Sequence, residues 1–326
     1  MKRKNKGFTL VELLAVIVIL ALIALIATPI ILNVINDAKK QAAKDSAYGY
    51  MDAVEKYIVS SELEDKSIQD GRYSVEELNK KISVKGSTPD NGNIEIKNSS
   101  VKSYDIGIDG YYITKDEVKK VSTTKKIENG TAVYYNPVYG EKCKSSEAVS
   151  TTGKNSGCMK WYVFNDKEGN ATVNVILDHN TTARVAWNST GSNSEMKEVA
   201  DALKKDTRTW KNTARLITAN EIAKITEKTG FDASKKNQDW FCLDTNQPDT
   251  TSYCAKAQGK SKYAWLFDYT YECTNYGCNT SDLSTWGYWT STSSWHVSRF
   301  GHLSNTNANY ADSGVRPVIT ISKSNI

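Results

Sequence analysis

Apolar positions run almost without interruption from Phe8 to Ile35, and the stretch from Leu13 to Leu32 carries no charge. About 20 apolar residues in a helix match the hydrocarbon thickness of a bilayer, so this stretch predicts a transmembrane helix. Lys2, Arg3, Lys4 and Lys6 precede it. That basic flank belongs on the cytoplasmic side, which puts everything after Asn33 outside. Pro29 lies within the span and is expected to kink the helix or loosen its hydrogen bonding. Beyond the span only one face stays apolar. Ala47, Met51, Val54 and Ile58 recur at helical spacing, while Lys44, Asp45, Asp52, Glu55 and Lys56 take the other positions. The helix therefore continues as an amphipathic segment with one side to pack. The Glu64-Asp65-Lys66 run and Gly71 mark its end.

The pattern then becomes short and mixed. Ser74 and Glu77 form a capping-box pair, with Val75, Leu78 and Ile82 following at helical spacing. Ile94 and Ile96, then Ile106 and Ile108, alternate with polar residues, and Tyr111, Ile113 and Val118 extend the series. This alternation predicts a small sheet laid on the long helix. All tryptophans and all cysteines lie after residue 140, which places a boundary in the Lys- and Thr-rich stretch near residue 128. In the second region WYVFND and ATVNVILD read as strands joined by a Lys-Glu-Gly-Asn turn. SEMKEVADALKK reads as a helix with Met196, Val199 and Leu203 on one face. Thr218 and Glu221 form a second capping box, opening a helix that Gly230 is placed to stop. A last strand is expected at VRPVITI. The fold class is α+β. The expected division is residues 8–32 as a membrane helix, 33–127 as helix and small sheet, and 128–326 as a mixed α/β domain.

Charge adds little. The formal net charge is +5, and the four basic residues before Gly7 account for most of it. No ordered basic stripe with interleaved aromatics appears, so nothing points to nucleic acid. The six cysteines are Cys143, Cys158, Cys242, Cys254, Cys273 and Cys278. An even count in an exported chain fits disulfides, with local pairs Cys143–Cys158, Cys242–Cys254 and Cys273–Cys278 as the obvious connectivity. Two alternatives stay open. Cys273 and Cys278 are spaced close to a metal-ligand pair, with His179, His296 and His302 available to complete a zinc shell. The thiols could instead stay reduced as packed core groups. No metal and no cofactor is assigned.

One residue breaks the opening apolar run. Glu12 is a carboxylate inside a membrane span, costly enough to imply a function. In an ordinary signal peptide the small-residue cleavage site follows the apolar core, but here Gly7 precedes it. Gly7-Phe8-Thr9-Leu10-Val11-Glu12, after a short basic leader and before a long apolar helix, resembles the type IV pilin family, including pseudopilins. The resemblance is specific over roughly residues 1–60 and implies cleavage after Gly7 by a prepilin peptidase, with N-methylation of Phe8. Residues 1–7 are then a leader peptide. The new amine at Phe8 and the Glu12 carboxylate would pair in low dielectric, which relieves the desolvation of both. Between neighbouring subunits such a pair sets how far one helix slides along the next. Among pilins a helix break near Pro29 accompanies assembly.

Three pieces of the second region, ARLITANEIAKI, GYWTSTSSW and SGVRPVITIS, resemble the C-type-lectin-like fold shared by relatives of the formylglycine-generating enzyme. Ile217 stands where that pattern has proline. Thr218 and Glu221 read as a cap and not as catalytic groups. Trp286, Trp289 and Trp295 are either core aromatics or the lining of a ligand groove for sugar or protein. Arg316 beside Pro317 reads as a structural arginine holding neighbouring carbonyls or an acid. No nucleophile, base and acid occur at a recognisable spacing, so no enzyme activity is expected. The lectin calcium motif is not evident, and fold resemblance does not license function. The expected protein is a pilus or pseudopilus subunit, a membrane precursor that becomes extracellular. It would display a binding domain for a host glycan or surface protein. A secretion or competence pseudopilin, the one case that would involve DNA, is the alternative, along with a membrane-anchored binding protein. Its partners are the membrane, the prepilin peptidase and other pilin subunits.

Overall fold

The computed structural model describes residues 10–66, 68–121, 125–148, 157–228, 231–233, 241–242, 263–266, 287–298, 302–311 and 313–326. Helix α1 (Leu10–Leu63) is one continuous element of 54 residues, about 80 Å long at 1.5 Å per residue. Its buried stripe is Ala43, Ala47, Tyr50, Met51, Val54, Ile58 and Ser61, which includes all four positions expected from the spacing. The helix ends at Leu63, before Gly71. Asp65 takes the left-handed conformation (φ 54°), and Lys66 N–H donates to the Ser61 carbonyl (2.9 Å). That is a Schellman-type stop built without glycine, by an aspartate, which tolerates this conformation better than most residues.

Five antiparallel strands follow in sequential order: β1 (Gly71–Ser74), β2 (Asn91–Lys97), β3 (Ser100–Ile108), β4 (Tyr111–Thr114) and β5 (Val118–Lys120). Between β1 and β2 the short helix α2 (Val75–Leu78) carries the expected Ser74–Glu77 capping box. Both residues of the β2–β3 turn, Asn98 and Ser99, and both of the β3–β4 turn, Asp109 and Gly110, have positive φ, which suits the twist of two-residue hairpins. One sheet face, with Ile94, Ile96, Ile106, Ile108 and Ile113, packs on α1.

The alternation in sequence identifies that face but says nothing about the other. The opposite face is also covered. Asn93 and Asp105 are buried at 0% and 2% exposure. The Asn93 amide donates to Thr320 Oγ1 (2.9 Å), and the Asp105 carboxylate accepts from Thr213 N–H (3.0 Å). The small sheet is thus sandwiched between α1 and the C-terminal body.

Among the described residues, that body contains two six-stranded sheets. The first is antiparallel, with β6 (Ala132–Asn136), β7 (Glu141–Lys142), β8 (Met159–Phe164), β9 (Thr172–Leu177), β11 (Arg215–Leu216) and β17 (Pro317–Ser322) in the order β11-β17-β9-β8-β6-β7. The second comprises β10 (Thr182–Val185), β12 (Phe241–Cys242), β13 (Gly287–Trp289), β14 (Trp295–Ser298), β15 (His302–Asn305) and β16 (Ser313–Val315), and its β13–β16 pair is parallel. Helix α3 (Ser145–Ala148) follows β7. Helix α4 (Glu198–Asp206) begins four residues later than SEMKEVADALKK predicts, so Met196 precedes it while Val199 and Leu203 are buried. Helix α5 (Ala219–Ile225) has the expected Thr218–Glu221 capping box. It stops on Glu227 (φ 55°), with Lys228 N–H bonded to the Ala223 carbonyl (2.8 Å). Gly230 lies outside the described residues.

VRPVITI is not one strand. It splits at Arg316 between β16 and β17, which belong to different sheets. The reason lies in Arg316, which is fully buried. Its guanidinium donates to the carbonyls of Leu177 (2.5 Å), Leu266 (3.0 Å) and Trp265 (2.7 Å) and lies 5.0 Å from the Tyr288 ring centroid. It therefore holds carbonyls, the first of the two structural roles expected for it.

Near the chain end, Lys323 is fully enclosed. Its ammonium meets Asp166 (2.9 Å) and the carbonyls of Lys125 (3.1 Å) and Lys167 (3.0 Å), which ties β17 to the segment joining the two regions. Cys143 and Cys158 form a disulfide with Cα atoms 6.0 Å apart, within the usual range. Of Cys242 only the backbone is described, in β12, and Cys254, Cys273 and Cys278 lie outside the described residues.

Candidate functional site: the exposed N-terminal helix

The two halves of α1 live in different surroundings. From Leu10 to Ile35, large apolar side chains are 43–83% exposed, and no part of the most hydrophobic window (mean hydropathy 3.2) is buried. Soluble monomers rarely expose contiguous apolar patches beyond a few hundred Å², so this half requires an apolar environment. At about 39 Å it exceeds the ~30 Å hydrocarbon layer of a bilayer.

Coverage begins at Asn36. The Tyr111 hydroxyl donates to the Asn36 carbonyl (3.4 Å), and Lys120 Nζ donates to Asn36 Oδ1 (3.2 Å). From Ala43 onward the buried stripe is packed under the sheet. The globular part therefore sits on the distal half of the helix and leaves the proximal half bare.

Glu12 lies on the bare half, in the first turn of the described helix, and is exposed. Gly7 and Phe8 lie outside the described residues. The backbone stays α-helical through Pro29. Having no N–H, this proline cannot donate to the Leu25 carbonyl. From the residue just before it, Thr28 Oγ1 donates to the Ala24 carbonyl (2.6 Å).

Of the two readings open for the tryptophans, core aromatics or the lining of a ligand groove, burial favours the first at the described positions. Trp289 and Trp295 are both 0% exposed. Their indole N–H groups donate inward, to the Val185 carbonyl (2.6 Å) and the Ala233 carbonyl (3.2 Å). The physical reason is strand alternation between two filled layers. Trp295 points into the core with Tyr288, Val297 and Leu303, and Trp289 points into the one with Trp161, Trp187 and Ile319. Both are therefore core aromatics. Trp286 lies outside the described residues.

A charged constellation that the periodicity gave no hint of lies between the two regions. Arg215 is buried and bonds Glu221 through both carboxylate oxygens (2.6 and 2.8 Å), while its Nε donates to Asn93 Oδ1 (2.6 Å). Burial works against charge on Glu221, but Arg215 and the Thr218 donors outweigh it and hold the carboxyl below its ordinary range. For Asp105 the balance is reversed. Burial pushes its carboxyl well above the usual range, despite donors from Thr213 and Asn93 and the charges of Arg215 and Arg72. Two sequence signals touch it: the capping pair Thr218–Glu221 and the ARLITANEIAKI motif, which holds both Arg215 and Glu221. Nothing local announces that Arg215 also reaches Asn93, 122 positions away.

The family model described as "Prokaryotic N-terminal methylation motif" matches residues 2–28. No curated protein and no solved structure matches the chain. The bare apolar helix, with Glu12 at its start and the methylation motif over its first turns, is a type IV pilin-like N-terminus on a membrane-anchored precursor.

Proposed function

We propose that the chain is a structural, non-catalytic subunit that is cleaved after Gly7, methylated at Phe8 and assembled through α1 into an extracellular pilus or pseudopilus. One observation carries this reading. The methylation motif, residues 2–28, overlaps the bare half of α1, residues 10–35, while contacts with the globular body begin only at Asn36. A membrane satisfies that half in the precursor, and neighbouring copies satisfy it in the polymer.

The C-terminal body is the part displayed, and we read it as lectin-like. In its support, the three sequence pieces that carry that resemblance converge. The Ala219 N–H at the start of α5 donates to Thr292 Oγ1 (3.0 Å), Ser291 N–H donates to the Ile217 carbonyl (3.0 Å), and Arg316 lies against Tyr288. An adhesive role would use surface other than Trp289 and Trp295. Quantifying this subunit in purified filaments separates the assignments. Scarcity at a filament end fits a tip or initiating subunit that displays a binding domain. Abundance along the shaft makes it a major subunit, and absence from all filaments overturns the assembly reading.

A further inference from the structure

Where α1 leaves its bare half, basic side chains gather at one level. Lys39 and Lys40 are exposed and lie three and four residues beyond Asn36, on the turn of the helix that faces the same way. Lys119 and Lys120 are exposed on β5, and the bond from Lys120 Nζ to Asn36 Oδ1 brings that strand to the same turn. The Tyr111 bond to the Asn36 carbonyl fixes the neighbouring strand there too. Three acids share this end: Asp37 on the helix, Asp109, whose turn meets β5 through Val121 N–H and the Gly110 carbonyl (3.0 Å), and Asp90, whose N–H donates to the Gly107 carbonyl (2.7 Å) and whose carboxyl lies within reach of the Asp109 charge. Four lysines against three aspartates leave a small positive excess, and the exposed Lys167 near Asp90 adds to it. Glu117 and Asp116 lie at the far end of β5, about 10 Å away along the strand.

The level of this cluster follows from helix geometry and rests on the reading that residues 13–32 span the membrane. Asn36 then lies about 6 Å beyond the hydrocarbon edge, and Lys39 and Lys40 about 10–12 Å beyond it. The headgroup layer is about 5–7 Å deep on each side, and long lysine stems bend toward such an interface. We infer that Lys39, Lys40, Lys119 and Lys120 form a basic collar that binds anionic phospholipid headgroups on the outer face of the membrane, seating the globular body against the bilayer before assembly. Lysines near an anionic surface are attracted to it in a manner that salt weakens.

The test uses the full chain reconstituted in vesicles of phosphatidylcholine alone, or of phosphatidylcholine with phosphatidylglycerol. Each lysine is labelled with an amine-reactive reagent and read by mass spectrometry. Lys97 is the internal control, because its turn lies at the opposite end of the sheet, beside Asp70. The expected result is labelling of the four collar lysines slowed about threefold in the anionic vesicles, with Lys97 unchanged and the protection lost in high salt. Equal labelling in both vesicles, with the chain floating alongside them, overturns the collar and leaves the anchor intact. A chain that floats with neither vesicle overturns the membrane reading, and the collar with it.

Discussion

Glu12→Ala leaves membrane insertion intact and cuts filament yield sharply. Insertion survives because alanine removes a charge that costs about 2.5–3.5 kcal/mol in a membrane helix. The bare half of α1 keeps its apolar length. Assembly suffers because the carboxylate is the counter-charge expected for the amine created at Phe8. A charge-assisted hydrogen bond contributes about 1.5–3 kcal/mol, so losing it weakens each subunit contact about 10- to 100-fold. In a polymer that loss recurs at every added subunit. Comparing the membrane fraction with the sheared filament fraction measures the two effects separately. Normal filament yield from the mutant would remove Glu12 from the assembly mechanism.

The second large effect lies at the junction of the two regions. Glu221→Ala lowers stability by about 3–5 kcal/mol, the range expected when one partner of a buried ion pair is removed. The mutant leaves the Arg215 guanidinium buried at 3% side-chain exposure without its carboxylate, and it deletes the cap acceptor for Thr218 N–H (2.9 Å). The midpoint of thermal unfolding should fall by on the order of 10 °C. Because Arg215 also bonds Asn93, the loss should loosen the small sheet along with the body, and hydrogen exchange of β2 and α5 should rise together. A loss confined to α5 would show that the two regions are not coupled through this network. The pH dependence has a definite sign. The folded-state pKa of Glu221 is below its ordinary 4.5, so the native chain binds fewer protons there than the unfolded chain. Its stabilisation is complete above the unfolded value and is lost as pH falls through the folded one. Acid titration of wild type should therefore show a loss below about pH 4.5 that the mutant lacks.

What the sequence could reveal divides along the range of the interactions. The span, the buried stripe of α1, the two capping boxes and the hairpin strands are written in contacts a few residues apart, and period and cap chemistry disclose them. Helix stops were less legible, because Asp65 and Glu227 take a conformation usually signalled by glycine. The break in the last strand depends on where Arg316 finds its carbonyls, one of them 139 positions away. The Asn93–Arg215 bond crosses 122 positions. An alternating strand reads the same whether its polar face meets water or a second layer of protein, so Asn93 and Asp105 gave no warning. For tryptophan, composition fixes a large apolar ring but not its direction. Placement between two filled layers decided Trp289 and Trp295 for the core. Glu12 differs from all of these. Its meaning was legible because a carboxylate in an apolar run has no inexpensive local explanation.

If the bare helix belongs to a processed polymer subunit, the mature N-terminus carries the mark of that processing. Mass spectrometry of the protein recovered from the cell surface should show a chain beginning at Phe8, carrying one methyl group on its α-amine and lacking residues 1–7. A surface-exposed chain that retains Met1 to Gly7, or one cut after the apolar stretch, would show that α1 is an ordinary anchor or signal and not the assembly helix of a processed subunit.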